Sequence, residues 1–322
     1  MGQFFVSFEL TIPDLSVDVG GLKLATPFMN ASGILGVASS SFARLAKSGA
    51  GAVVTKSIGP RPRFGNPNPS VVQVSPGTFL NAVGLANPGV DEFLREFPSV
   101  KACGVPVVAS VFGDSVESYA EVAAKFEQAG ADAVELNVSC PHAEVSDVGT
   151  DPSRTREVVR AVRAAIKIPL WVKLSPNVTD VAAIATAAEG AGADAVVAIN
   201  TVRAMAIDAD LQRPVLFHGT GGLSGRAIKH VALAAVYQLA SAVDVPVIGC
   251  GGVSNWRDAI EFFLAGASAL QVGSALAGDH DALSKMAAGV KNYLEARGAS
   301  GVRDLVGLAR KNHERGAGGE TP

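Results

Sequence analysis

The chain has 322 residues, with 27 Lys plus Arg against 30 Asp plus Glu and a formal net charge of -3, a balance that lacks the basic field of a nucleic-acid-binding or polybasic membrane protein. Hydrophobic residues make up 48% and charged residues 18%, which excludes a disordered chain and provides for a sizeable core. Mean hydropathy is +0.30, yet the apolar runs are strand-sized and none reaches the roughly 18 residues of a membrane-spanning helix.

In chain order, the N-terminal MGQFFVSFELTIPDL carries Glu9 and Asp14 and no basic flank before a long apolar stretch, so it is expected to be neither a signal peptide nor an anchor. Leu15 to Thr26 alternates polar and apolar residues around Gly20-Gly21, the pattern of a β-hairpin, here expected to plug the bottom of a barrel. After it, four junctions repeat one theme: Ser48 to Ser57, Gln128 to Asn137, Gly190 to Asn200 and Leu264 to Ser274. Each reads as a helix closed by a left-handed glycine and followed by a short buried strand. Between them lie further strand-like runs, Pro27 to Ser32, Val105 to Val111, Pro169 to Ser175 and Val245 to Gly252, which makes eight strands. Helical stretches alternate with them, for example Ser115 to Gln128, Ser153 to Ile166, Thr179 to Glu189 and Asp258 to Ala265, with Asp151, Thr179 and Asn255 placed to cap. Eight similar strand–helix units predict an α/β fold, a (β/α)8 TIM barrel, as one domain over residues 1–314, with 315–322 as a disordered tail. Two connections exceed what a barrel requires, the stretch ending at Gly89 after the second strand and Val202 to Gly225 after the sixth; both follow strand C-termini and are expected to form lids or subunit contacts.

The strand C-termini collect Ser32, Lys56, Ser57, Ser110, Asn137, Cys140, Lys173, Asn200, Thr201, Gly251, Gly252, Gly273 and Ser274. Two lysines and two asparagines in one register are costly to bury without a ligand. Glycine turns after strands seven and eight occupy the barrel's usual phosphate position, and the loop Gly219 to Gly225 is expected to add N–H donors. Gly190 to Ala195 formally matches a dinucleotide fingerprint but precedes its strand instead of following one, so the phosphate is expected to belong to a mononucleotide such as flavin mononucleotide, FMN.

Cys140 sits just past a strand, before Pro141, as a loop thiol suited to nucleophilic or proton-transfer chemistry. His142 nearby raises a Cys/His hydrolase reading, though no third orienting group is evident. Lys173 or Lys56 raises a Schiff-base aldolase reading, which leaves Cys140 and the asparagines idle; equally, Lys173 suits the charge that a reduced flavin develops. Cys103 and Cys250 read as small buried hydrophobes. Three widely spaced cysteines resemble no disulfide framework, fit a reducing cytoplasm, and are too few for an iron–sulfur cluster; no metal site is expected in this chain.

The motifs NASG (Asn30 to Gly33), TKS (Thr55 to Ser57), PRFGNPNP (Pro62 to Pro69), NAVGLANPG (Asn81 to Gly89), ELNVSCP, VKLSPNVTD (Val172 to Asp180), INT (Ile199 to Thr201), GTGGLSG, IGCGGV and VGSA occur in one order along nearly the whole chain. Together they resemble the dihydroorotate dehydrogenases, FMN oxidoreductases of pyrimidine (UMP) biosynthesis. The resemblance implies Cys140 as the catalytic base of the class 1 enzymes, where membrane-associated class 2 has serine, with Lys173 also in the catalytic set. It implies flavin contacts from Ala31, Ser32, Lys56, Ser57, Asn137, Lys173, Ile199, Gly225, Gly251, Gly252, Gly273 and Ser274. Substrate contacts would come from Lys56, Asn81, Ala82, Val83, Gly84, Leu85, Asn137, Asn200 and Thr201. The GTDP stretch (Gly149 to Pro152) is similar to the NAD-linked 1B form, which implies a homodimer of this chain in a heterotetramer with a subunit that holds FAD and a 2Fe-2S cluster. The fumarate-using 1A form and a dihydropyrimidine dehydrogenase-like enzyme are the alternatives. Two positions depart from the family pattern: Ser110 stands where asparagine is usual, and Ala204 where glycine is usual.

Overall fold

The computed structural model describes residues 12–139 and 148–317. Cys140, His142 and the end of the tail lie outside the described residues. Eight parallel strands form the expected barrel: β1 (Phe28–Asn30), β2 (Val53–Val54), β3 (Val107–Val111), β4 (Ala133–Asn137), β5 (Leu170–Lys173), β6 (Ala195–Ala198), β7 (Val247–Cys250) and β8 (Ala267–Val272). Each pairs in parallel with its sequence neighbour from β2 to β8, except that β8 also pairs with β1. The strands are buried throughout apart from Asn137 and Ser268, because helices cover the outside and side chains fill the inside.

The glycine-closed junctions are as the sequence reading expects: Gly49, Gly130, Gly192 and Gly266 all have positive φ, between 84° and 126°. Caps explain where the helices begin. Ser115 and Ser118 form a reciprocal capping box before Val116–Gln128, Asp151 caps Pro152–Ala165 and Asn255 caps Trp256–Ala265. One cap moves by a residue. Asp180, not Thr179, accepts from the first N–H groups of Val181–Glu189, since a carboxylate is the better acceptor at a positive helix end.

The N-terminal hairpin pairs Val17–Val19 with Leu22–Leu24. Its turn presses on the bottom of the barrel so closely that a Cβ on Gly20 would lie 2.4 Å from the Asp194 carbonyl oxygen, just before β6. At the other end, the helix Leu308–Ala317 runs through Gly316.

The two long connections fuse. Val71–Ser75 and Thr78–Asn81 from the first pair with Thr220–Gly225 and Val202–Met205 from the second in one four-stranded antiparallel sheet above the mouth. The segment Gly219 to Gly225, expected to be a phosphate loop, is therefore mostly a central strand, laddered to Val202–Met205 as far as Leu223 and to Thr78–Asn81 as far as Gly225, so that Ser224 and Gly225 keep one edge outside the sheet's ladders. Ala204 lies in this sheet opposite Gly221.

Barrel closure is thinnest between β1 and β2. The backbone contributes a single bridge, Met29 to Ala52, and the bond from Gly51 N to Phe28 O at 2.8 Å. The fully buried Asn30 side chain extends it, donating to Val54 O and accepting from Val54 N, both at 2.8 Å, and so standing in for a backbone peptide. It also donates to Ile34 O at 2.9 Å. Asn30→Ala would strand the buried Val54 donor and acceptor, so we expect a loss of about 2–4 kcal/mol, seen as a lower midpoint in urea unfolding; an unchanged midpoint would show that the seam is held elsewhere.

Candidate functional site

The strand C-termini converge on one rim, and three clusters form there. The first is a hydroxyl and amide network. Ser57 Oγ lies 3.2 Å from Ser32 Oγ, 2.9 Å from Ser110 Oγ and 3.0 Å from the Asn137 Nδ2 that donates to it. Asn137 Oδ1 in turn accepts from Ser139 N at 3.2 Å and from Asn200 Nδ2 at 3.4 Å. Residues from β1, β2, β3, β4 and β6 are thereby joined across the mouth. Ser110 is fully buried and serves as a strut for Ser57, a role that its short side chain fits. Lys56 stands next to this network, half-buried, and no described residue gives its ammonium a hydrogen bond or ion pair. Burial pushes its pKa below the usual lysine value. A half-buried cation without a counter-charge calls for an anionic ligand.

The second cluster is the glycine floor. Gly251, Gly252 and Gly225 have φ of 128°, 75° and 88°, and a Cβ on Gly252 would meet the Lys229 backbone at 2.7 Å. Only glycine permits this path, which leaves the backbone close to whatever binds. A Cβ on Gly251 would lie 3.6 Å from Ile199, and one on Gly273 would lie 3.6 Å from Ala31, so these candidate contacts are neighbours in two pairs. Beside Ser274 a cavity of about 580 Å³ opens under the roof strands, with Arg226 and Ser254 in its wall. Arg226 was not singled out in the sequence, although a cation directly after Gly225 was visible there.

Third, Lys173 is buried at 5% exposure. Its Nζ donates to Gln271 Oε1 and, at 3.2 Å, to Cys250 Sγ. Burial alone would lower its pKa, but its neighbours Cys250 and Glu135 more than offset this and hold it above the ordinary lysine value. An ammonium so held lacks the lone pair that an aldolase nucleophile needs. Cys250 is thus not the plain hydrophobe expected of it, and Cys103 is only half-buried, its thiol near Val105 O at 3.5 Å.

Asn81 to Leu85 approach from the roof. Asn81 Nδ2 donates to Gly222 O at 3.1 Å, and a Cβ on Gly222 would meet Thr201 Oγ1 at 2.1 Å, so Asn81 and Thr201 converge on one glycine. Gly84 and Leu85 take consecutive left-handed conformations, φ 75° and 56°, an unfavourable choice for leucine that the fold holds in place. Asn66 fixes this turn, its N bonding Val83 O at 3.0 Å and its Nδ2 bonding Ala82 O at 2.8 Å. Asn87 closes the same loop through Gly59 N and Gly89 N, a structural role within the motif.

The chain matches the family model described as dihydroorotate dehydrogenase over residues 14–294. It is 48% identical over 299 residues to the dihydroorotate dehydrogenase B (NAD(+)) catalytic subunit of Methanocella arvoryzae, covering 92% of this chain and 98% of that one. The protein of the same description from Methanosarcina acetivorans is 50% identical over 295 residues, 90% of this chain and 94% of its own. That from Pyrococcus abyssi is 46% identical over 300 residues, 92% and 99% respectively. With the barrel, the rim of amides and lysines and the glycine floor all inside the matched region, the chain belongs to the dihydroorotate dehydrogenase family.

Proposed function

We propose that this chain is the catalytic subunit of an NAD-linked, class 1B dihydroorotate dehydrogenase, which oxidises (S)-dihydroorotate to orotate on FMN and passes the electrons to NAD through a partner subunit. The observation that carries this reading is the half-buried Lys56 ammonium, to which no described residue offers a counter-charge, on the residue before the Ser57 that Asn137 bonds. The rim thereby offers a cation for a carboxylate and, in Asn137 and Asn200, two amides able both to donate to and to accept from a dihydropyrimidine ring.

The residues fit FMN. Gly225, Gly251, Gly252, Gly273 and Ser274, with Arg226 nearby, suit its phosphate. Ala31, Ser32, Lys56, Ser57, Asn137, Lys173 and Ile199 would hold the ribityl chain and ring. When bound, FMN supplies the acceptor at N5 for the hydride that leaves substrate C6. Lys56 binds the substrate carboxylate, and Asn137, Asn200, Thr201 and the Asn81 to Leu85 turn orient the ring edge. Cys140, three positions after Asn137 in the sequence, takes the C5 proton, so that loss of proton and hydride leaves the C5–C6 double bond of orotate. Cys140→Ala is expected to keep FMN but slow its reduction by dihydroorotate about 10²–10⁴-fold in rapid-mixing absorbance measurements; an unchanged rate would remove Cys140 from the mechanism.

Lys56 gives the substrate site a pH dependence of definite sign. Its pKa is lowered by burial, and a bound carboxylate draws it back up. Affinity is therefore fully present below the free-protein pKa and lost as pH rises from there through the higher pKa of the complex. Orotate binding, followed by flavin absorbance, should weaken toward alkaline pH, and Lys56→Met should bind orotate roughly 10–100-fold more weakly at neutral pH with a flat profile. Wild-type affinity in Lys56→Met would overturn the assignment.

Electron delivery follows from an inventory. No described strand leads into a dinucleotide turn, and Cys103, Cys140 and Cys250 are too few for a cluster, which supports FAD and 2Fe-2S in the partner. The exposed Val71, Met205, Ile207 and Phe217 of the roof suit contact between two copies of this chain, and support a homodimer within a heterotetramer. No described helix is long and apolar enough to cross a membrane. The purified chain should oxidise dihydroorotate with an artificial dye but not with NAD, and gain the NAD reaction when combined with the iron–sulfur flavoprotein. Efficient turnover of the lone chain with fumarate would instead make it class 1A.

A further inference from the structure

The barrel interior holds a carboxylate for which the reaction has no use. Glu135 lies on β4 at 0% exposure, as does Gln271 on β8. A carboxylate buried alone is driven to neutralise or to find a partner. Gln271 Nε2 donates to Glu135 Oε2, and Gln271 Oε1 accepts from Lys173 Nζ. The chemistry fixes this order: an ammonium only donates and a carboxylate only accepts, so the amide between them has one satisfactory orientation. Strand register supplies the depth. Lys173 is level with Asn137, at the mouth, and Glu135 is level with Trp171, one inward-facing position below.

We propose that Glu135, acting through Gln271, is the positioning residue that keeps Lys173 charged and aimed at the mouth, where the charge favours the reduced flavin. This rests on Lys173 being a flavin contact. Among the described residues, the titratable groups that act on the lysine are Glu135 from β4 and Cys250 from β7; β8 presents the neutral Gln271, and Lys56 beyond β2 is a further cation at the rim. Glu135 is the carboxylate of this set, tied to the lysine through Gln271. Without it, burial works against the ammonium with one opposing neighbour fewer.

The test uses the purified FMN-loaded chain and its Glu135→Gln, Glu135→Asp and Cys250→Ser variants. In Glu135→Gln the shape and the bond to Gln271 are retained and only the charge is lost. Its flavin reduction potential, measured against dyes across the pH range, should cross the wild-type curve. At the acid end, with Lys173 still protonated and its counter-charge gone, the potential should equal or exceed wild type. At the alkaline end, with Lys173 neutral, the preference for reduced flavin should fall about tenfold, or about 30 mV for a two-electron couple. Glu135→Asp and Cys250→Ser should keep the wild-type shape.

A second readout needs no flavin. In flavin-free protein labelled with carbon-13 lysine and assigned by Lys173→Arg, the ε-carbon of wild-type Lys173 should stay that of an ammonium into the alkaline range, and in Glu135→Gln it should titrate earlier. Should Glu135→Gln fail to fold, Gln271→Met, which cuts the link without changing charge, must show the earlier titration. A neutral Lys173 in wild type, identical titrations, or an effect from Cys250→Ser alone would each overturn the proposal. Wild-type protein that takes up no FMN while Lys173 titrates as expected would sink the flavin reading and leave the Glu135 pairing standing.

Discussion

Closure of the barrel between its two shortest strands is the constraint on which everything at the mouth depends. Eight parallel strands can bring their C-termini to one rim only if the first finds the second, and here β1 and β2 share one backbone bridge. The Asn30 amide carries the ladder past that bridge to Val54. Lys56 and Ser57 follow two and three residues later, and Ser32 two residues after Asn30. The position of Lys56, which no described residue pairs, and of the hydroxyl that joins three strands is thus set by one side chain at the seam. A residue that opens a family motif does its work here in the scaffold.

The same barrel departs from an all-apolar filling. Glu135, Gln271 and Lys173 run through a mostly apolar interior, and a buried charged set is tolerable only when its donors and acceptors match in sequence. They match along this chain, although Glu135 Oε1 and Trp171 Nε1 have no hydrogen-bond partner. The polar thread joins the floor of the site to the lysine at its rim, and so connects core packing to chemistry through three residues.

Strand order, glycine-closed junctions and the rim residues were legible in the sequence because each is written locally: a positive-φ glycine, an apolar run, a polar residue at its end. The roof was not. Asn81 and Gly222 are 141 positions apart, and neither connection alone shows which partner its strands will find. Ser110 was visible as a departure from the family, but that it braces Ser57 depends on the stagger of neighbouring strands. Cys250 was misread because a cysteine in an apolar run looks hydrophobic until a lysine two strands away is seen to reach it. The glutamate in the run ending at Asn137 was a signal of the polar interior in plain view; its partner, Gln271, becomes meaningful only when the barrel is closed.

The roof has a consequence for the order in which the molecule is built. Its strands hang from the ends of β2 and β6, which stand on opposite sides of the eight-stranded ring. Pairing between segments so far apart carries a large loop-closure cost in the unfolded chain, and that cost shrinks once the barrel has brought their anchors to fixed positions. The barrel is therefore free to form first and the roof to set over it afterwards. In that order Gly251 and Gly252 are set by the barrel itself, whereas Gly225 reaches them only with the roof strand that carries it.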